Sequence, residues 1–185
     1  GSYDTPGSAR DVAIAGDHAF VADFTSGLVV VDISDPTNPS LAGSCSMSGW
    51  AWRVALDGDY AYVANYGGGG LVVVGLSDPA NPSLAGSYGP LPVAWDVAIA
   101  GDHAYVAAVD DGLVVVDISD PTAPVLAGSY DTPGSARGVA LAGDHAYVAV
   151  GLNGLVVVEV FQQAFNLEKN AGRSLVLSAS AEEIF

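Results

Sequence analysis

One unit returns about every 42 residues along this chain, a period that marks a solenoid, a propeller or an array of small units. GLVVVDISDPTNP at residues 27–39 comes back as GLVVVGLSDPANP at 70–82 and as GLVVVDISDPTAP at 112–124. A truncated GLVVVEV follows at 154–160. Residues 1–12 (GSYDTPGSARDV) and 128–139 (GSYDTPGSARGV) agree at eleven of twelve positions. Such a unit cannot bury its apolar face alone, so it must stack on its neighbours.

Within one unit the local signals are all of one kind. Residues 9–15 (ARDVAIA) alternate and are rich in β-branched side chains, which suits a half-buried strand. Gly16 and Asp17 form a two-residue hairpin signal, because Gly accepts the positive φ of a tight primed turn. Residues 18–22 (HAFVA) make a second strand, and a variable loop follows at 23–26. Residues 27–34 (GLVVVDIS) are apolar nearly throughout, as expected of a strand covered on both faces. Residues 35–39 (DPTNP) carry turn chemistry: Pro sets φ and Asp bonds its own backbone. A fourth strand is intact at 83–88 (SLAGSY). Four short antiparallel strands per unit predict an all-β fold, a β-propeller of four-stranded blades. The expected domain is 1–160, with repeats at 1–42, 43–85, 86–127 and 128–160, and a tail at 161–185 outside the repeat.

GLVVVDISDPTNP, LAGSYDTPG and AGDHAYVA resemble the LVIVD-repeat family, over about residues 1–160. The resemblance implies a β-propeller, usually of a bacterial or archaeal surface or secreted protein. It implies no common enzymatic activity. The chain departs from the family's usual pattern in having four repeats where such propellers generally have more blades.

Repeat four stops after its third strand, and the chain opens with GSYDT, the end of a fourth strand. The N-terminus is therefore expected to complete the last blade and close a four-bladed ring, which removes exposed sheet edges. A half-ring that pairs with another copy, and an excerpt of a longer array, are the alternatives. The tail holds the only Lys, Lys169. It reads as a short helix at 161–168 and a strand at 174–178, either an exit toward another domain or a strand added to a ring edge or a neighbouring subunit.

The repeats differ from one another on one side only. The Gly-Asp and Asp-Pro turns hardly change, and a blade puts both on one face. The loops between second and third strands vary, as do the lead-ins to the first strands: TPGSARD, MSGWAWR, PLPVAWD and TPGSARG. Loops on a rigid scaffold are where binding residues concentrate. Aligned at the lead-in are Arg10-Asp11, Trp52-Arg53, Trp95-Asp96 and Arg137-Gly138, with Trp50 two positions before Trp52. With Tyr66 these make a candidate ligand site at the channel mouth: Trp faces stack on sugars or aromatic rings, and Arg forks hold carboxylates. The competing reading is structural, with Arg–Asp bridges between blades and Trp as a plug.

Other chemistry is thin, and no catalytic residue, metal site or cofactor is expected. His18, His103 and His145 share one repeat position in different blades and should not converge on a metal. The run of glycines at 67–70 lacks the Lys and helix of a phosphate loop. Asp110-Asp111 is a lone acidic pair, against the six to eight oxygens calcium takes. Cys45 stands where other repeats have Tyr, a packing position, and a single Cys excludes an internal disulfide. The formal charge of −16 argues against nucleic acid or an anionic membrane surface as partner. No apolar run reaches the roughly 20 residues of a spanning helix. A chain that does not begin with Met leaves room for a signal peptide already removed. The expected function is a non-enzymatic extracellular or cell-surface module that binds protein or glycan on its variable face, or assembles with copies of itself through the tail. The alternative is a hydrolase working at the channel mouth.

Overall fold

The computed structural model describes residues 1–160; the helix and strand expected in the tail lie outside them. Blade 1 holds β1 (Asp11–Ala15), β2 (His18–Ala22), β3 (Leu28–Asp32) and β4 (Ser40–Cys45). Blade 2 holds β5 (Trp50–Asp57), β6 (Tyr60–Tyr66), β7 (Gly70–Gly75) and β8 (Ser83–Tyr88). Blade 3 holds β9 (Asp96–Ala100), β10 (His103–Ala107), β11 (Leu113–Asp117) and β12 (Val125–Tyr130). Blade 4 holds β13 (Gly138–Ala142), β14 (His145–Ala149) and β15 (Leu155–Glu159). Each sheet is an antiparallel meander in chain order, four-stranded in blades 1 to 3 and three-stranded in blade 4 among the described residues. The fold is thus the all-β propeller architecture expected.

The turns form for the reasons the sequence suggests. Gly16 takes a φ of 54° in its hairpin, a conformation closed to most side chains. In the Asp-Pro turns, Asp35 accepts the Thr37 N–H at 2.9 Å and the Thr37 hydroxyl at 2.6 Å, and Asp120 holds Thr122 alike. Just beyond, a bulge shifts the register between third and fourth strands at Val30/Val31, Val73/Val74 and Val115/Val116. One repeat position therefore carries one geometric device in three blades.

The blades stack face to face, with the innermost strands neighbouring in the order β1, β5, β9, β13. The core is a series of interblade layers. Phe20, Ala22, Leu28 and Val30 of blade 1 meet Val54, Ala61, Val63, Val72 and Val74 of blade 2. Tyr62, Ala64, Leu71 and Val73 meet Val97, Ala104, Val106, Val114 and Val116 of blade 3. Tyr105, Ala107, Leu113 and Val115 meet Ala146, Val148 and Val158 of blade 4. In blades 1 to 3 both faces of the third strand are covered, so β3, β7 and β11 can be continuously apolar.

The N-terminal segment lies against blade 1, but the pairing with β15 that a ring closed within the chain requires is not made among the described residues. A Cβ on Gly1 would stand 2.5 Å from the Thr37 carbonyl oxygen of blade 1's own Asp-Pro turn. Likewise a Cβ on Gly43 of β4 would stand 2.5 Å from the Pro79 carbonyl oxygen of blade 2, and on Gly86 of β8, 2.4 Å from that of Pro121 in blade 3. Residues 1–3 therefore sit against blade 1 as β4 sits against blade 2. They are not paired with β15, and among the described residues the stack is open at both ends.

Candidate functional site

On the variable face, backbone bonds hold each loop to the next blade. Phe24 and Ala51 exchange two N–H···O bonds, at 3.2 and 3.0 Å, and Val109 and Ala136 do the same at 3.0 and 2.9 Å. Asn65, fully buried, donates from its side-chain amide to the Ser48 carbonyl at 2.5 Å. At the top of the innermost strands, Arg10, Trp95 and Arg137 each donate a backbone N–H at 2.8 Å, to Ala22, Ala107 and Ala149 respectively. Blade 2 differs. Its first strand is longer, and its register passes from Ala51↔Asn65 to Arg53↔Ala64, so that Trp52 is an extra, bulged residue. Bulges re-aim side chains at such sites.

Two rows of side chains result. The upper row is Arg10, Trp52, Trp95, Arg137. The Arg10 guanidinium carbon lies 4.9 Å from the Trp52 ring centre, the Trp52 and Trp95 rings are 5.0 Å apart, and the Arg137 carbon is 5.6 Å from Trp95. The two arginine distances are cation–π contacts and the Trp pair is a tilted aromatic contact. A second aromatic stack joins the row from the side. Phe24 lies 4.9 Å from Trp50, and Trp50 lies 5.3 Å from Tyr66 with the rings 8° from parallel. Arg10 also stands 4.7 Å over Phe24. Five rings from three blades thus form one continuous patch with an arginine at each end. Trp50 is 40% exposed, and Arg10 and Arg137 are exposed as well.

The lower row is Asp11, Arg53, Asp96. Asp11 accepts the Val54 N–H of the next blade at 3.0 Å, and Asp96 accepts the Val139 N–H of its next blade at 3.0 Å. Arg53 lies between them, 3.6 Å from Asp11 and 4.0 Å from Asp96. These three groups tie blade to blade, which is the structural reading of the Arg and Asp residues. Ion pairs this exposed are individually weak; the backbone bonds are what fix the carboxylates.

Burial is the main cause that pushes the Asp96 carboxyl above the ordinary aspartate range, with Asp11 adding to it. The Val139 and Val97 N–H groups and Arg53 pull the other way. Folding therefore favours its protonated form. Its stabilising contribution is present below the pKa of the unfolded chain and is lost as pH rises through the folded value. In Asp35, Asp78 and Asp120 the bonds from Thr37, Asn81 and Thr122 hold the carboxyl below the usual range. An NMR titration of side-chain carboxyl carbons is expected to place the Asp96 midpoint above those three; a midpoint at or below theirs contradicts the burial argument.

All nine candidate residues, Arg10, Asp11, Trp50, Trp52, Arg53, Tyr66, Trp95, Asp96 and Arg137, come together on this face. They divide into an aromatic–arginine row, with half-buried Trp52, Trp95 and Tyr66 between exposed arginines, and a row of groups that tie blade to blade. Phe24 belongs to the patch and was not among the candidates, although its alignment with Tyr66 is the signal that finds it. Elsewhere, the histidines lie apart, each opposite an acid across the strand pair: His18↔Asp32, His103↔Asp117, His145↔Glu159. Cys45 is buried, and burial pushes its thiol up, as suits packing. Asp110 accepts the Ser135 hydroxyl at 3.2 Å. No helix among the described residues is long and apolar enough to cross a membrane.

The sequence model of the LVIVD repeat matches residues 6–47, 48–89, 93–132 and 133–161. Among curated proteins none matches the chain. Among solved structures, the computationally designed Ika4 protein is similar at a TM-score of 0.70 and 11% identity, over 85% of this chain and 94% of that one. The computationally designed Ika8 protein aligns at 0.67 and 12%, over 82% of this chain and 46% of that one. A "putative 6-phosphogluconolactonase" from Bacteroides uniformis aligns at 0.69 and 14%, over 85% of this chain and 55% of that one. The chain thus spans about half the length of the latter two. At these identities the likeness concerns the fold alone.

Proposed function

The chain belongs to the LVIVD-repeat family, and from that premise we propose that it is a non-enzymatic binding module, extracellular or at the cell surface, which takes a glycan or another protein on its variable loop face. The observation that carries the reading is the patch of five rings, Phe24, Trp50, Trp52, Tyr66 and Trp95, capped by Arg10 and Arg137. Of the two ligand classes, a glycan suits it better. Flat ring faces match the apolar faces of sugars, and the arginines keep N–H groups for a carboxylate or hydroxyl. The Asp11–Arg53–Asp96 row supplies rigidity beneath rather than ligand contacts.

Glycan-array binding and titration of tryptophan fluorescence test the reading. Trp52→Ala combined with Trp95→Ala is expected to weaken the best ligand by at least about tenfold, equivalent to about 1.4 kcal/mol. Binding retained in full by the double variant would sink the idea.

A hydrolytic reading has one feature in its favour, two carboxylates, Asp11 and Asp96, on either side of Arg53 at the mouth, with burial raising that of Asp96. The lactonase name of one structural neighbour belongs to that protein and adds only the thought of a sugar ester as substrate. Turnover of a sugar lactone or ester that disappears in both Asp11→Asn and Asp96→Asn would replace the binding reading with this one.

A further inference from the structure

The two ends of the stack are the two halves of an interface the chain already makes three times. Blade 4 presents Tyr147, Ala149, Leu155 and Val157, the same letters as Tyr62, Ala64, Leu71 and Val73 in blade 2. Blade 1 presents Val12, Ala19, Val21, Val29, Val31 and Ile33. Those are the letters of Val97, Ala104, Val106, Val114, Val116 and Ile118 in blade 3. The layer between blades 2 and 3 is built from those two sets. A blade 4 placed on a blade 1 would rebuild its strand-to-strand part, though Leu91 and Ala108 of that layer have Pro6 and Asp23 as counterparts.

Ala19, Val21, Val29 and Val31 are already buried, with Tyr3 and Ile33 packed against them, while other members of the two sets are bare at the ends. Leu155 is 61% exposed where Leu28, Leu71 and Leu113 are at 0%, and Val12 is 55% exposed where Val54 and Val97 are at 8% and 7%. A groove lined by Tyr3, Val12, Val21, Val31, Ile33 and Pro39 runs along the blade 1 end. Residues 1–3 lie there as an outer strand lies on the blade after it. The outer strands pair Leu28 with Cys45, Leu71 with Tyr88 and Leu113 with Tyr130. The equivalent partner of Leu155 is Tyr3. The backbone bridge of the other junctions, Phe24 with Ala51 and Val109 with Ala136, has its counterpart in Gly151 and Ala9, both exposed.

We propose that the occupant is a second copy of this chain: blade 4 of each copy docks on blade 1 of the other, and two chains close one ring of eight blades. Gly1, Ser2 and Tyr3 of each copy then form the fourth strand beside β15 of its partner. A heterologous contact of this kind closes when its rotation allows and otherwise runs on as a filament. The seam is apolar and joins two chains of −16 each, so salt should strengthen it by screening their mutual repulsion. This inference goes beyond the binding reading and does not rest on it, since Val12 and Leu155 lie outside the aromatic row.

Sedimentation or light scattering of the full chain is expected to give twice the 18.6 kDa chain mass. Val12→Glu alone and Leu155→Arg alone, both at exposed positions, should keep the strand signature in circular dichroism and sediment as monomers. Mixed one to one, the two variants should recover the dimer, because one seam of the mixed ring is wild type and the other pairs opposite charges. The proposal is overturned by a monomeric wild type, by filaments or larger rings, or by dimers that persist in both variants. It is also overturned if deletion of residues 161–185 abolishes the dimer while both variants retain it, since the tail is then the contact.

Discussion

Leu71→Ala is expected to lower the unfolding free energy by about 3 kcal/mol, the usual cost of removing a fully buried leucine and leaving a cavity. Leu71 is at 0% exposure in the layer between blades 2 and 3, walled by strands of both. The matching substitution in the last repeat, Leu155→Ala, removes a side chain that is 61% exposed. Within one chain it should cost under about 0.5 kcal/mol. Denaturant titration of the two variants, at a dilution where any assembly dissociates, separates them. Equal losses would mean that blade 4 is covered within its own chain. The pair isolates position in the stack, because both leucines follow the same Gly and precede the same three valines.

Asp23→Ala is the second large effect, about 2 kcal/mol, from loss of two hydrogen bonds to a buried carboxylate. Asp23 is at 0% exposure in the loop between β2 and β3. One carboxylate oxygen accepts the Thr5 hydroxyl at 2.8 Å, the other the Gly7 N–H at 2.7 Å. Alanine strands both donors and releases the N-terminal segment from blade 1. Hydrogen exchange at residues 1–7 should rise together with the loss of stability. Asp23→Asn should be close to neutral, because its oxygen can take the Gly7 N–H while its amide donates to the Thr5 hydroxyl. The second repeat already uses Asn65 at this position, donating to the Ser48 carbonyl. An Asn variant as unstable as the Ala one would show that the negative charge, rather than the bonding pattern, is what holds the segment.

Much of the mouth was legible because the repeats act as their own comparison. Where four copies of a unit agree, the residue serves the blade; where Trp52, Arg53 and Trp95 break the pattern, something else is at stake. That reasoning placed nine side chains on one face. It left two readings open for Arg53, Asp11 and Asp96, since the letters are the same whether a carboxylate meets a ligand or the N–H of Val54 or Val139. It also passed over Phe24, which joins the patch only because Trp50 lies 4.9 Å away across the blade junction. The bulge that sets Trp52 apart depends on how β5 pairs with β6, a register that alternation alone does not specify.

The sequence by itself determined the strands, their turns, the two faces of the propeller and the face on which variation gathers. Those follow from period-2 patterning, from Gly and Pro at the turns, and from repetition, all of which are local. Only the tertiary structure decided which copies of one letter are buried. Leu71 and Leu155 read alike along the chain, and so do Val12 and Val97. Burial belongs to the neighbour as much as to the residue, and among the described residues the blades at the two ends of the stack each have a neighbouring blade on one side only. The N-terminal GSY shows the same division. Its sequence marks it as an outer strand, but only its contact with Thr37 and Pro39 shows which blade it lies against.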